Sequence, residues 1–312
     1  MDFQKLNSLS IVIPVFNSEA ILPDLAKRLA DVLPVLAQKY EVILVNDGSQ
    51  DNSWEVVWKL SQEHPWLVGI DLMRNYGQHN ALLCGIRTAK YDIIATMDDD
   101  LQHPPEEIHK LLEKLAEGYD VVYGAFQKAQ HSYWRNMASR MTKLTLQNAM
   151  GAEVAGKVTS FRAFRHQICE PFVHYQAPIV FIDALLTWGT SRFATVEVKH
   201  DPRPSGISNY TFLKLVTHAI NLATGFSTLP LRLASIVGFF FTIVGMGILI
   251  YVVARYLVVG VIMPGFYFTA SMIAIFSGAQ LFALGIIGEY MARIYLRTEN
   301  RPVYVIRQQV RE

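Results

Sequence analysis

Two uncharged stretches constrain this chain more than anything else in it. Between Arg232 and Arg255, and again between Arg255 and Glu289, no Asp, Glu, Lys or Arg interrupts the sequence. Residues 233–254 and 266–288 are each long enough to cross about 30 Å of hydrocarbon as a helix. A buried soluble helix can imitate one such stretch, but two in succession predict a transmembrane hairpin. Gly238, Gly245 and Gly247 in the first, and Ser277, Gly278, Gly285 and Gly288 in the second, give small faces for helix packing. The connecting loop, about 256–265, is uncharged, whereas Arg293, Arg297, Arg301, Arg307 and Arg311 follow the second span. The positive-inside rule then puts both ends of the chain in the cytoplasm.

The rest reads as an ordinary α/β chain. Of 312 residues 51% are hydrophobic, and the surplus is concentrated in residues 231–292. A net charge of +1 argues against nucleic acid as a partner. Cys84 and Cys169 lack metal-type spacing and predict free thiols in a reducing compartment. The opening residues show no charged-then-apolar leader. Apolar runs at 9–17, 41–49, 67–73, 93–97 and 120–126 alternate with helically spaced segments such as 19–37. That alternation predicts βαβ units and a doubly wound, mostly parallel sheet. Further on come helical patterns at 131–150 (with Arg135, Arg140 and Lys143) and 180–188, then an alternating strand at 193–199. The expected organisation is a cytoplasmic domain (1–210), an amphipathic interfacial helix (211–230), the hairpin (231–292) and a basic cytoplasmic tail (293–312).

Ligands of such sheets lie beyond the carboxyl ends of the strands. Four polar turns fall there: Asn17 to Glu19, Asn46 to Ser49, Arg74 to His79 and Asp98 to Gln102. The last ends an apolar strand in three consecutive carboxylates, which repel one another unless a cation sits among them. Period two sends Asp98 and Asp100 the same way and Asp99 elsewhere. A solvated acidic loop is the plainer alternative; the position at a strand end favours a metal site holding a diphosphate. Arg162 or Arg203 near that diphosphate would be a bidentate clamp, and elsewhere a solvated cation. Neither a Gly-x-Gly-x-x-Gly nor a P-loop motif occurs.

Several ordered motifs carry a resemblance. Ile13-Pro14-Val15-Phe16-Asn17, Asn46-Asp47-Gly48-Ser49, Asp98-Asp99-Asp100-Leu101-Gln102-His103-Pro104-Pro105-Glu106 and Phe161-Arg162, with the two spans, resemble the GT-A-fold, family 2 polyprenyl-phosphate glycosyltransferases. Dolichyl-phosphate mannose synthases belong to the same group. Bactoprenol glucosyltransferases and undecaprenyl-phosphate formamido-arabinose transferases are the most similar branches, and Asn75-Tyr76-Gly77-Gln78-His79 looks most like the latter. The resemblance implies that Pro14, Phe16, Asn17, Asp47, Asp98 and Asp99 bind the nucleotide. It implies Mg²⁺ or Mn²⁺ on Asp98 and Asp100, Gln102 near the sugar or acceptor, and Arg162, Arg203 and Ser208 on phosphate or acceptor. The implied reaction is inverting transfer from a nucleotide sugar, a UDP-sugar by preference, to undecaprenyl phosphate at the bacterial inner membrane. A homo-oligomer, with a tetramer among the options, a flippase and a downstream glycosyltransferase are the implied partners.

The chain also departs from that pattern. Ser18 separates Asn17 from Glu19, Asn46 stands where Asp is common, and Asn209 where Lys usually follows the loop serine. Where the family usually carries an acid before Phe161-Arg162, Gly156 or Lys157 stands here, with Glu153 the nearest acid. A different donor would explain these changes, and a catalytically weakened nucleotide-sugar-binding scaffold is the competing reading. A processive polysaccharide synthase is disfavoured, because such enzymes need more spans and a Gln-x-x-Arg-Trp-type motif.

Overall fold

Leu9, Ile11, Val12, Ile13 and Val15 are all fully buried in β1 (Leu6–Val15). A strand apolar on both faces must be covered on both faces, and β1 accordingly lies inside the sheet. The computed structural model describes residues 5–125, 150–177, 179–201, 229–259 and 265–311. Arg135, Arg140, Lys143, Arg203, Ser208 and nearly all of the expected interfacial stretch 211–230 lie outside the described residues.

After β1 the chain forms α1 (Leu22–Leu36), β2 (Ala37–Asn46), α2 (Ser53–Glu63), β3 (Leu67–Leu72), α3 (Gln78–Thr88) and β4 (Ile93–Thr96). A 3-10 turn at Pro105–Glu107 opens α4 (Ile108–Ala116), followed by β5 (Val121–Ala125), α5 (Ala152–Ala155) and β6 (Arg162–Arg165). The 3-10 segment His166–Phe172, α6 (Ile182–Gly189) and β7 (Phe193–Glu197) complete this part. Two long helices, α7 (Leu229–Val259) and α8 (Phe266–Thr298), precede a last strand, β8 (Ile306–Val310).

The strands form one sheet in the order β7-β5-β6-β4-β1-β2-β3-β8. β1 pairs in parallel with β2 and β4, as do β2 with β3 and β5 with β7. β6 runs antiparallel to β4 and β5, and β8 antiparallel to β3. Helices supply the covering layers through stripes at helical spacing. Leu22, Leu25, Leu29 and Leu33 of α1 and Ile108, Leu111 and Leu115 of α4 are at most 1% exposed. Each such side chain contributes about 1.5–3 kcal/mol by leaving water.

The basic tail expected over 293–312 is not a tail. α8 continues to Thr298, and the chain then returns as β8. Two of the arginines counted as tail charges answer buried carboxylates instead: Arg307 lies 3.3 Å from Asp71 and Arg311 3.2 Å from Glu41. The strand escaped the sequence reading because Arg307, Gln308 and Gln309 break any apolar alternation, as suits an edge strand.

The chain divides into two compact units, the sheet domain, which includes Asn300–Glu312, and Ile220–Glu299. In the second, Leu231–Arg255 and Ser271–Thr298 have mean hydropathies of 2.5 and 1.8, and of their described residues Ala234 alone is buried. Both helices are long and apolar enough to cross a membrane. Gly245 lets them approach, since a Cβ there would stand 2.9 Å from the Phe276 ring.

Candidate active site

Three turns at the carboxyl edge of the sheet are tied together by side chains the sequence reading had reserved for ligand. Asn17, at φ 54°, accepts the Gln50 N–H on its Oδ1 at 2.8 Å, and its own N–H donates to Ser49 Oγ at 3.0 Å. Asp47 is buried and accepts the N–H groups of Tyr76 and Gly77 at 2.7 and 2.8 Å. Burial pushes its carboxyl above the ordinary range, and those two N–H bonds pull it partly back. Asn17 and Asp47 therefore build the platform. Pro14 sits inside β1 opposite Val45, where the β4 ladder has already ended, and so its missing N–H is not needed. Phe16 is different: the residue is 47% exposed beside this platform.

The three acids after β4 go three ways. Asp99 turns back to the β1 turn, accepting Ser18 Oγ at 2.5 Å and the Phe16 N–H at 3.2 Å. Burial pushes its carboxyl up to about 6 against those two donors, with Asp98 and Asp100 adding to the rise. In this structure Asp99 buttresses the turn after β1. Asp98 accepts Gln78 Nε2 at 2.6 Å on one oxygen and Ser160 Oγ at 2.5 Å on the other. Asp100 closes its own turn by accepting the Gln102 N–H at 3.1 Å, across Leu101 at φ 57°. Asp98 diverges from Asp99 as period two expects, but the expectation that Asp100 points with Asp98 is not met in these contacts: Asp100 is engaged in its own turn and is not among the residues that line the cavity Asp98 faces.

Asp98 faces a cavity of ≈ 350 Å³, lined also by Gln78, His79, Gly156, Thr159, Ser160, Arg162, Phe181 and Asp183. Gly156 lines it at the place where the family pattern led us to expect an acid. Arg162 needs correction. Its side chain is 1% exposed and is ion-paired with Asp183, while its Nε donates to Thr96 Oγ1 at 3.1 Å. The Tyr123 hydroxyl donates to the same Asp183 oxygen at 3.0 Å, and burial with Asp183 nearby raises that phenol. Arg162 is thus the neutralised floor of the cavity, not a clamp free to close on phosphate. Beside the acids, buried His103 stacks on Phe161 at 5.1 Å and lies 5.1 Å from His200. Burial, with His200 adding to it, pushes the imidazole down to about 4.

Sequence reasoning missed Gln78, Ser160, Thr96, Tyr123 and Asp183 as parts of this site. Gln78 lay in a turn already singled out, and Ser160 two places before a motif arginine. Asp183 had no signal, being one acid in an apolar helix. Among the described residues no three His, Cys, Asp or Glu side chains gather closely enough to hold a metal by themselves. Two carboxylates at one strand end still fit Mg²⁺ or Mn²⁺, ions that keep water and substrate phosphate oxygens as most of their ligands.

Residues 10–172 match the model for glycosyl transferase family 2. The chain belongs to that family. This family 2 chain is 37% identical over 311 residues, 99% of its own length and 95% of the relative's, to the undecaprenyl-phosphate 4-deoxy-4-formamido-L-arabinose transferase of Proteus mirabilis. Its mixed sheet is the GT-A fold of solved glycosyltransferases. The glucosyl-3-phosphoglycerate synthase of Mycobacterium tuberculosis, crystallised with Mn²⁺, UDP and glucosyl-3-phosphoglycerate, matches with a TM-score of 0.51 at 16% identity, over 70% of this chain and 78% of that one. The mannosyl-3-phosphoglycerate synthase of Rubrobacter xylanophilus matches with a TM-score of 0.51 at 15% identity, over 69% and 72% of the two chains.

Proposed function

We propose that this family 2 glycosyltransferase moves a sugar from a UDP-sugar to undecaprenyl phosphate at the cytoplasmic leaflet of the bacterial inner membrane. The likeness to the Proteus mirabilis transferase carries that reading, because at 99% of this chain it includes both apolar helices as well as the sheet. The sugar of that relative, 4-deoxy-4-formamido-L-arabinose, is the first donor to test.

The cavity supports the chemistry. Asp98 and Asp100 would hold the divalent cation against the donor diphosphate, and the exposed Phe16 ring is placed to stack on the base. A cation there neutralises charge that builds on the departing nucleotide. Gln78 and Ser160 fix the direction of the Asp98 carboxylate. The acceptor is a phosphate monoester with a second pKa of about 6, so its attacking oxygen is already largely anionic at neutral pH. A cavity lined by Gly156 in place of an acid suits such a nucleophile, and a single displacement inverts the sugar carbon.

The return strand supports the topology. β8 and β1 share one sheet, so the hairpin between them crosses the bilayer an even number of times. Arg293, Arg297 and Arg301, which follow the uncharged stretch 266–288, favour the cytoplasm for that side. Among the described residues a Cβ at Gly238, Gly247, Gly278, Gly285 or Gly288 would meet nothing within 4 Å, which leaves small faces for a second copy of the hairpin. A homo-oligomer, a tetramer in the fullest form, would hand its lipid-linked sugar to a flippase and a downstream glycosyltransferase.

The test is direct. Membranes holding the protein, given UDP-sugars, undecaprenyl phosphate and Mn²⁺, should yield a lipid-soluble sugar phosphate by mass spectrometry, and a chelator should abolish it. No product from any donor would favour the scaffold reading.

A further inference from the structure

Met73 follows β3, and both of its backbone groups are held by the segment beyond α8. Its N–H donates to the Val305 carbonyl at 2.9 Å, and its carbonyl accepts Arg307 Nη2 at 3.0 Å. The other nitrogen of that guanidinium, Nη1, lies 3.3 Å from buried Asp71, which Asn46 Nδ2 also reaches at 2.7 Å. The β3–β8 register shifts between Asp71 and Leu72, directly before this grip. Beyond Met73 comes the turn that delivers Gln78 to Asp98. On its far side Asp47 holds the Tyr76 and Gly77 amides, and Gly48 backs onto Arg74 so closely that a Cβ would stand 2.5 Å from the Arg74 carbonyl carbon. The turn is held from two directions, and one of them is chain that follows the second apolar helix.

We infer that Arg307 is a positioning residue for the active site: by fixing Met73 and Asp71 it sets the 73–77 turn so that Gln78 meets Asp98. An edge strand that merely covered β3 would need its backbone ladder but no guanidinium on the Met73 carbonyl. Arg311 supplies the contrast. In the same segment it makes the same kind of ion pair, 3.2 Å to buried Glu41, without a hydrogen bond to the turn. Arg307 bridges a carboxylate and a backbone oxygen with one planar fork, a geometry suited to arginine more than lysine.

The experiment uses the full chain in lipid nanodiscs, as wild type, Arg307→Ala, Arg307→Lys and Arg311→Ala. Hydrogen exchange is followed at residues 74–79, and donor kcat and KM are measured. Loss of a charged hydrogen bond should speed exchange of the Tyr76 and Gly77 amides about tenfold in Arg307→Ala. In the same variant kcat should fall while donor KM holds, Arg307→Lys should recover part of both, and Arg311→Ala should match wild type. Unchanged exchange at 74–79 in Arg307→Ala, or equal effects of the two alanine variants, overturns the inference. The kinetic arm rests on the transfer reaction proposed above and the exchange arm does not, so a wild type that transfers no sugar would sink that reading alone.

Discussion

The Gln78 side-chain amide donates to Asp98 across 2.6 Å, joining the first residue of α3 to the acid after β4. Ser160 completes the hold from β6's side at 2.5 Å. A carboxylate held by two donors keeps its direction. That fixed direction is needed if a cation and a diphosphate are to meet there.

Asp98→Asn keeps the shape and removes the charge. Transfer from a UDP-sugar should fall about a hundredfold or more, as for loss of a group that stabilises developing charge. Initial rates with saturating Mn²⁺ check this, and wild-type turnover would remove Asp98 from the site. Gln78→Ala, which removes one of the two donors that hold the carboxylate, should cost about tenfold.

Arg162→Ala should act on folding before it acts on substrate. It leaves buried Asp183 without its cation next to Tyr123, and removing one partner of a buried pair costs about 3–5 kcal/mol. Thermal melts of the solubilised protein should show that loss. The double variant with Asp183→Leu should recover most of it. A normal melt with a raised donor KM would instead restore the phosphate role.

The His103 imidazole gives a pH signature. Its folded pKa of about 4 lies below the ordinary 6.5, so between those values the unfolded chain binds a proton that the folded chain refuses. Stability is full above pH 6.5 and falls towards pH 4, by at most about 1.4 kcal/mol per pH unit for one proton. His103→Phe preserves a ring against Phe161 and should flatten the melting temperature across that interval. An unchanged slope would show that other groups carry the acid sensitivity.

Gly48→Ala tests how tightly the platform is nested. Gly48 sits at φ +67°, and an added Cβ would meet the Arg74 carbonyl carbon at 2.5 Å. Strain in that backbone region alone costs about 1–2 kcal/mol, and the clash adds to it. Chemical denaturation should show a loss of about 2 kcal/mol or more. A stability equal to wild type would mean the turns separate freely.

Much of the fold was legible because apolar period carries it. The runs around Ile11, Val42 and Ile94 are buried strands, and the stripe from Leu22 to Leu36 is a helix packed on them. β8 was not legible: Arg307 within it and Arg311 just after it serve partners more than two hundred residues away, and no local pattern encodes that. In the site, strand-end acids announced Asp98 because like charges crowd there for a reason. The same logic did not reveal the protein partners of Asp47 and Arg162. A polar residue facing a cleft and one stitching the cleft's walls have the same sequence signature. Only the backbone N–H groups of Tyr76 and Gly77, and the carboxylate of Asp183, decide between them.

The return of the chain to pair with β3 also sets an order of events during synthesis. Until the ribosome has made Ile306–Val310, the β3 edge has no antiparallel neighbour, and Asp71 and Glu41 lack their arginines. An open edge of that kind invites pairing with other nascent chains. The sheet is therefore finished last, after both apolar helices have been synthesised. A fragment cut before the first helix should be prone to aggregate, however complete its catalytic motifs look.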